Sequence, residues 1–292
     1  MDQPTNPCVG LRPCDAEYLD KCLSQARSFQ PKWLQSLFLG SEKIGLISDV
    51  QATALVRWLP LKAIPQGWQW QADSLTPNER SSQLRIAAES LRDAGLISGW
   101  RSEEYASWGS VESPGGVENS ELFRLERAAF RYFGFRSHAV HINGFTPTGL
   151  VWCARRALTK PTDPGKLDNL AAGGIQAGET ILTCAWRELF EEAGLRSTSL
   201  ASMTLVGSVL TERLEPEGWH SETLHVFNAV LKSDNQPQNY DGEVESFKCV
   251  SLSEAVEDMR RGHWSFDAVC AMALGSAKLR NLFGGAYSSL AS

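Results

Sequence analysis

The chain is expected to adopt an α+β fold in which a mixed sheet lies between helices, preceded by a smaller α+β N-terminal region. Three observations lead there. Its 292 residues are 42% hydrophobic and 21% charged, ordinary values for a globular chain long enough for one large domain or two average ones. Apolar residues recur at helical spacing in some segments and at strand spacing in others. The two kinds of segment follow one another without the regular strand–helix–strand order of a doubly wound parallel sheet.

Residues 15–29 read as a helix, with Leu19, Cys22, Leu23 and Ala26 on one stripe. Residues 43–50 read as a strand after the Gly40-Ser41 turn. Thr76-Pro77 opens a helix whose stripe is Leu84, Ala87, Ala88 and Leu91, and Gly95 ends it. Residues 107–120, with Pro114-Gly115-Gly116, read as a loop, and 121–133 as a second helix. Strands then dominate. Residues 138–145 and 150–155 flank Thr146-Pro147-Thr148-Gly149 as a hairpin. Loop signals fill 159–168, and a strong helix covers 180–193. Residues 205–211 and 223–231 pair across Pro216-Glu217-Gly218, and 243–250 form another strand. Residues 253–261 and 266–282 close the chain as helices. The N-terminal domain is expected over 1–133 and the second domain over 134–292.

A net charge of −6 argues against a general nucleic-acid binder or a binder of anionic membranes. The first ten residues lack a basic stretch followed by an apolar one, so no signal peptide is expected. No apolar run approaches the roughly 20 residues of a membrane span. Seven cysteines without a CxxC pair read as reduced thiols of a cytoplasmic protein rather than as zinc ligands.

The informative segment is 173–195, GGIQAGETILTCAWRELFEEAGL. At about 100° per residue, Glu188, Glu191 and Glu192 share one helix face, and Leu182, Ala185, Leu189 and Ala193 another. Gly194 sits where a left-handed cap is expected. Three carboxylates at this spacing repel, by roughly 0.2–0.5 kcal/mol per close pair. Two of them also face the unfavourable end of the helix dipole. A bound cation reverses that cost, and an all-oxygen donor set suits Mg²⁺ or Mn²⁺ bridging to phosphates. The competing reading is a solvated acidic face. The full string of polar and glycine identities makes that unsatisfactory, because it arises by chance on the order of once in a million chains.

This segment resembles the Nudix box, G-x5-E-x7-R-E-U-x-E-E-x-G-U with U apolar. It meets every fixed position, at Gly173, Glu179, Arg187, Glu188, Leu189, Glu191, Glu192, Gly194 and Leu195. The resemblance implies an α/β/α sandwich carrying a loop–helix–loop metal site. It also implies hydrolysis of a phosphoanhydride in a nucleoside diphosphate linked to another group. It makes Glu188, Glu191 and Glu192 metal ligands, with Arg187 and Glu179 as an orienting pair.

Further motifs are similar to one Nudix subfamily: Gly99-Trp100-Arg101, Leu125-Glu126-Arg127-Ala128, Phe133-Gly134, His141-Ile142-Asn143-Gly144, Lys160-Pro161-Thr162, Pro164-Gly165-Lys166-Leu167-Asp168 and Asp241-Gly242-Glu243-Val244-Glu245. That subfamily carries an extra N-terminal domain similar to the region fused ahead of the kinase in some fungal thiamine pyrophosphokinases. It implies hydrolysis of thiamine diphosphate, or its oxy- and oxo- analogues, to the monophosphate. Where the subfamily reads WRDELYPV, this chain departs with Trp100-Arg101-Ser102-Glu103-Glu104-Tyr105-Ala106-Ser107. The alternatives are hydrolysis of ADP-ribose or NADH, isomerisation of isopentenyl diphosphate, and ligand binding without catalysis.

Outside the box, strand alternation places Glu243 and Glu245 on one face. Glu243 is the preferred general base, with Glu245 or a box glutamate as alternatives. Arg155, Arg156, Lys160 and Lys166 are candidates to grip a diphosphate, against the plainer reading of loop and edge-strand charges. Asp168 is a candidate to fix the loop entering the box. His141 and Asn143 either line a cleft or hydrogen-bond inside the core. His220 and His225 read as strand or turn residues rather than ligands. Trp58, Trp68, Trp70, Trp100 and Trp108 read mainly as core, with ring stacking on a heteroaromatic ligand as the alternative. The expected partner is a small-molecule diphosphate, with no nucleic acid and no membrane; a homodimer is left open.

Overall fold

The computed structural model describes residues 11–27, 30–109 and 121–284. In chain order the elements are α1 (Pro13–Ser24), β1 (Leu34–Leu39), β2 (Glu42–Ser48), α2 (Asp49–Leu55), β3 (Leu61–Ile64), β4 (Gly67–Trp70) and α3 (Pro77–Asp93). They continue with β5 (Glu104–Trp108), β6 (Glu121–Glu126), α4 (Phe130–Phe133), β7 (Arg136–Phe145), β8 (Val151–Arg156), β9 (Leu167–Asp168), β10 (Ala171–Gly174) and α5 (Ile181–Ala193). The last are β11 (Leu200–Glu215), β12 (Gly218–Leu231), β13 (Val244–Val250), α6 (Leu252–Arg260) and α7 (Phe266–Gly284).

Seven strands form the main sheet, in the order β11-β12-β7-β8-β13, with β10 beside β7 and β9 beside β8. β12 runs parallel to β7, and the other pairings are antiparallel. One face buries Val140 and Ile142 against Ala185 and Leu189 of α5. The other face buries Ala139, Leu224 and Val226 against α7, and Val151 and Cys153 against α6 and α7. The result is the expected α/β/α sandwich. A second sheet, β2-β1-β4-β3, packs with α2, α3, the β5–β6 pair and α4 around Trp70, Phe123 and Phe133.

Helix α1 belongs to residues 1–133 in sequence, yet its Leu19 is fully buried among residues of α6 and α7. Asp15, also fully buried, pairs with Arg12 at 2.8 Å and with Arg260 of α6 at 2.9 Å. The Arg12 hydrogen bond holds the Asp15 carboxyl below its ordinary value. The first described helix therefore packs against the second half, ahead of the first sheet in sequence.

Several boundaries differ from those read in sequence. α1 ends at Ser24, and residues 28–29 lie outside the described ones. β2 stops at Ser48, because the Ser48 hydroxyl and the Gln51 side chain form a capping box that starts α2 at Asp49. Of the expected loop 107–120, Ser107 and Trp108 complete β5, and 110–120 lie outside the described residues. The expected helix over 121–133 is instead strand β6, a 3-10 turn and the single turn of α4. Phe123 and Leu125 point into the core with Arg124 outward, and β6 pairs along its length with β5. Gly134, at φ +62°, ends α4, and a Cβ there would collide with the Leu46 carbonyl. β7 and β8 form the expected hairpin but pair only at Gly144–Trp152 and Phe145–Val151, since β10 occupies the rest of that edge of β7. β11 and β12 outrun their expected ranges and leave two residues between them.

Trp70 is core, and Trp68 and Trp100 pack on the same cluster, whereas Trp58 is half exposed. Leu182 departs from the expected apolar face of α5 and is half exposed. The six cysteines among the described residues are free thiols. No described helix is long and apolar enough to cross a membrane.

A buried ladder of amides ties the sheet to α7. Asn143 donates to Asn228 at 3.0 Å and to the Ala271 carbonyl at 3.2 Å. Asn169 donates to Asn143 at 2.7 Å and accepts from His141 Nδ1 at 2.7 Å. His141 and Asn143 therefore take the buried, hydrogen-bonded role, and His141 also reaches the cavity described below. On β7 and β12, the stacked rings of His138 and His225 meet at 3.2 Å. Burial, with His225 and Arg136 nearby, lowers His138 to about 3. Burial lowers His225 to about 4. Both rings are neutral in the folded protein and bind protons in the unfolded one below about pH 6.5. Folding stability should hold above that pH and fall as pH drops toward 4, by up to roughly 1.4 kcal/mol per pH unit for each ring. Urea denaturation from pH 7 to 4 checks this; the double variant His138→Leu/His225→Leu should flatten the acid limb.

Candidate active site

Helix α5 is fixed at both ends. Thr180 caps its start by accepting from the Thr183 amide at 3.1 Å. Gly194, at φ +66°, turns the chain out so that the Leu195 amide reaches the Leu189 carbonyl at 3.0 Å. Between these ends, Arg187 grips Glu179 with two nitrogens at 2.7 and 2.8 Å. It also holds Glu188 at 2.6 Å, Glu191 at 3.0 Å and the Gly174 carbonyl at 3.1 Å. One guanidinium thus locks the preceding loop to two acidic side chains of the helix.

Strand β10 must be glycine where it passes these groups. A Cβ on Gly173 would collide with the Glu188 carboxylate, and one on Gly174 with the Tyr105 hydroxyl. Glu188 is buried, and burial together with the charge of Glu192 raises it to about 8 against the pull of Arg187. Glu192 is likewise raised by burial, opposed by Lys160 at 2.7 Å and the Ala172 amide at 2.9 Å. Lys160 also pairs with Glu243 at 2.6 Å, and Arg101 reaches Glu243 at 2.9 Å. Burial pushes Glu243 up, but these two cations outweigh it and hold the carboxyl at about 2.

These groups surround a cavity of about 260 Å³. Glu188, Glu191, Arg187, Glu243, Arg156 and Lys160 line it, while Glu192 stands behind Lys160. Arg156 is anchored by Asp168 at 2.6 Å and by the Thr162 carbonyl, so Asp168 does steady the loop before the box. Arg155 and Lys166 do not reach the cavity. Arg155 donates to the Gly165 carbonyl at 2.6 Å, and Lys166 pairs with Asp163 at 2.7 Å on the surface. Glu245 is exposed and absent from the lining, because a bulge between Val244 and Ser246 breaks the alternation that would have put it beside Glu243.

Among family descriptions, the NUDIX domain matches residues 136–270, and a domain of unknown function, DUF4743, matches 16–137. Residues 136–270 are a Nudix domain. The chain is similar to Nudix hydrolase 20, chloroplastic, of Arabidopsis thaliana, at 32% identity over 68% of this chain and 52% of that protein. It is also similar to Nudix hydrolase 24, chloroplastic, of the same plant, at 31% identity over 63% and 50%. The chain thus spans about half the length of these relatives. Among solved structures, DR0079 from Deinococcus radiodurans covers 59% of this chain and 97% of its own, at 17% identity and a TM-score of 0.43.

The Nudix cavity is not built from the Nudix domain alone. Arg101, Glu103, Tyr105, Arg127 and Arg131, all from the N-terminal region, complete its wall. The buried Glu126 carboxylate accepts from the amides of Arg101 at 3.2 Å, Glu103 at 3.0 Å and Ala128 at 3.4 Å. That clamp holds Ser102 at φ +60°, an uncommon conformation for a side-chain-bearing residue, and aims Arg101 at Glu243. The sequence signals for these residues were the subfamily-like motifs at 99–101 and 125–128 and the departing stretch 100–107, and Arg131 had none. His220, Glu222 and Asp267 also line the cavity and had no signal as a group. His225 lies elsewhere, in a second cavity with Trp108 and His138.

Arg187→Lys keeps one positive charge and loses the two-point grip on Glu179. It should destabilise the fold by about 1–3 kcal/mol in urea denaturation. Calorimetric titration with Mg²⁺ should show weakened binding in the same variant. Glu126→Ala should leave global stability closer to wild type while releasing the 101–103 turn, read as faster amide exchange at Arg101 and Glu103.

Proposed function

We propose that the protein is a divalent-metal-dependent hydrolase that cleaves a phosphoanhydride in a small organic diphosphate. The observation that carries this reading is the gathering of Glu188 and Glu191 with the cationic side chains of Arg101, Arg156 and Lys160 around one cavity. The donor set fits a hard cation: Glu188 and Glu191 line the cavity, Glu192 is one ammonium away, and burial leaves Glu188 short of positive charge. Mg²⁺ or Mn²⁺ held by Glu188, Glu191 and Glu192 would supply Lewis-acid polarisation of a phosphoryl oxygen and acidify water.

The chain's own residues do the rest. Arg187 keeps Glu188 and Glu191 oriented through the loop at Glu179. Arg156 and Lys160 draw the diphosphate in, and Arg101 adds charge from the N-terminal side. Glu243 at about 2 is a weak proton acceptor while both cations hold it. A diphosphate that engages Lys160 and Arg101 loosens that hold and makes Glu243 a better base for an attacking water. In this reading residues 134–292 carry the chemistry and residues 1–133 close the cavity.

Thiamine diphosphate or its oxidised oxy- and oxo- analogues are the proposed substrates, giving the monophosphate and phosphate. The support is the likeness of the N-terminal region and its flanking motifs to the thiamine-linked subfamily. ADP-ribose and NADH are the second reading, and the cytoplasm is the proposed location. Phosphate release with Mg²⁺ across thiamine diphosphate, its oxy- and oxo- forms, ADP-ribose, NADH, nucleoside triphosphates and isopentenyl diphosphate tests the assignment. Phosphatase is added for substrates whose products are monoesters. The highest kcat/KM is expected for a thiamine-type diphosphate, and Glu192→Gln should lower it by about 10²-fold or more. A higher value for ADP-ribose or NADH removes the thiamine assignment and leaves the hydrolase. No turnover of any compound removes both.

A further inference from the structure

At the far end of the same cavity, three side chains converge on a gap that nothing in the reaction above uses. His220, at the start of β12, is buried, and its Nδ1 accepts from Arg131 Nε at 3.3 Å. Arginine has no acceptor, so Nδ1 carries no proton and the neutral ring bears its hydrogen on Nε2. That Nε2 is buried and has no hydrogen-bond partner among the described residues. It faces Glu222 Oε2 at 3.8 Å and Asp267 Oδ2 at 3.7 Å, both beyond hydrogen-bonding distance.

The two carboxylates are themselves positioned. Ser137 donates to the other oxygen of Glu222 at 2.7 Å. Arg213 holds both oxygens of Asp267 at 2.8 and 3.0 Å. Among the described residues Glu222 Oε2 has no such partner, and it stands 3.8 Å from a buried donor. The spacing of the three residues would also suit a metal ion. However, Arg131 turns a proton rather than a lone pair toward the gap, and Arg213 already neutralises Asp267. A buried unpaired donor is costly, and a guest with the complementary edge recovers that cost.

Such a guest offers an acceptor to His220 and, beside it, an N–H to Glu222. That is the edge of a nitrogen heterocycle: a ring nitrogen next to an exocyclic amino group, or a carbonyl next to a ring N–H. Strand register sets the reach. Gly174 and Glu222 flank β7 from opposite sides, opposite Ala139 and Ser137 respectively. Two strand spacings across and two residues along give roughly 12 Å between their backbones, room for a diphosphate and one linking group. We infer that His220 and Glu222, backed by Asp267, form a specificity subsite that reads the acceptor–donor edge of a nitrogen heterocycle carried on the diphosphate. The inference rests on the hydrolase reading for its substrate, but its test does not.

Two ligand pairs differ only at that edge: thiamine diphosphate and its analogue with hydrogen in place of the pyrimidine amino group, and ADP-ribose and 1,N6-etheno-ADP-ribose. Each is measured by kcat/KM with Mg²⁺ on the full chain and by calorimetric binding to Glu192→Gln. Wild type should favour the edge-bearing member of its better pair by at least about tenfold. His220→Phe and Glu222→Met, each checked for folding by circular dichroism, should bring that ratio to within about threefold of one. A general loss of activity from misfolding would not move the ratio, and either variant alone suffices if the other is unfolded. Equal treatment of both members of both pairs by wild type overturns the inference, as does discrimination retained in the folded variants. Discriminating binding without turnover supports the subsite while the hydrolase reading fails, and no binding of any of the four ligands overturns the subsite.

Discussion

Negative charge buried on one helix sets the terms for everything near it. Glu188 and Glu192 lie inside the protein on the same turn of α5, and like charges at that depth are tolerable only with cations or protons beside them. Arg187 answers from the helix itself, Lys160 from the loop before β9, and Arg156 completes the positive side from the end of β8. Each brings structure with it. Arg187 pins the loop at Glu179, Lys160 draws in Glu243, and Glu243 draws in Arg101 from the other half of the chain. Gly173 of β10 belongs to the same account, since only a bare backbone there leaves room for the Glu188 carboxylate.

This chain of dependence explains which parts of the site were legible in sequence. The box was readable because its contacts are local. Arg187 lies eight residues from Glu179 and one and four from Glu188 and Glu191, so the helix and the short loop entering it bring them together. The four basic residues before the box were separable only by knowing β8 and its loop: alternation turns Arg155 outward and Arg156 inward. Glu245 was misplaced on the face of Glu243 for a related reason, because a bulge is a tertiary adjustment that a two-residue period does not report.

How the longer-range parts come together was not legible. Residues 121–133 satisfy helical spacing through Leu122, Leu125, Ala129 and Tyr132, and strand spacing through Phe123 and Leu125. Pairing with β5, across a segment of more than ten residues, decides between them. His220 and Asp267 are 47 positions apart and meet only because β12 lies parallel to β7 beneath the start of α7. The cationic wall from Arg101 to Arg131 belongs to a region whose own core, around Trp70 and Phe133, has no link to phosphate chemistry. Its contribution emerges from how the Glu126 clamp aims one turn.

The path of α1 bears on modularity. A helix encoded ahead of the first sheet covers the outer layer of the second half, its Leu19 seated among the side chains of α6 and α7 and its Asp15 tied to Arg260. The two halves are thus interleaved like clasped hands rather than strung like beads. A boundary drawn anywhere between them strips one half of its covering, so recombination or gene fission at that point yields a fragment with a greasy flank. Shuffling of this Nudix unit between proteins should therefore carry the leading helix along, even though the family pattern that marks the unit begins more than a hundred residues later.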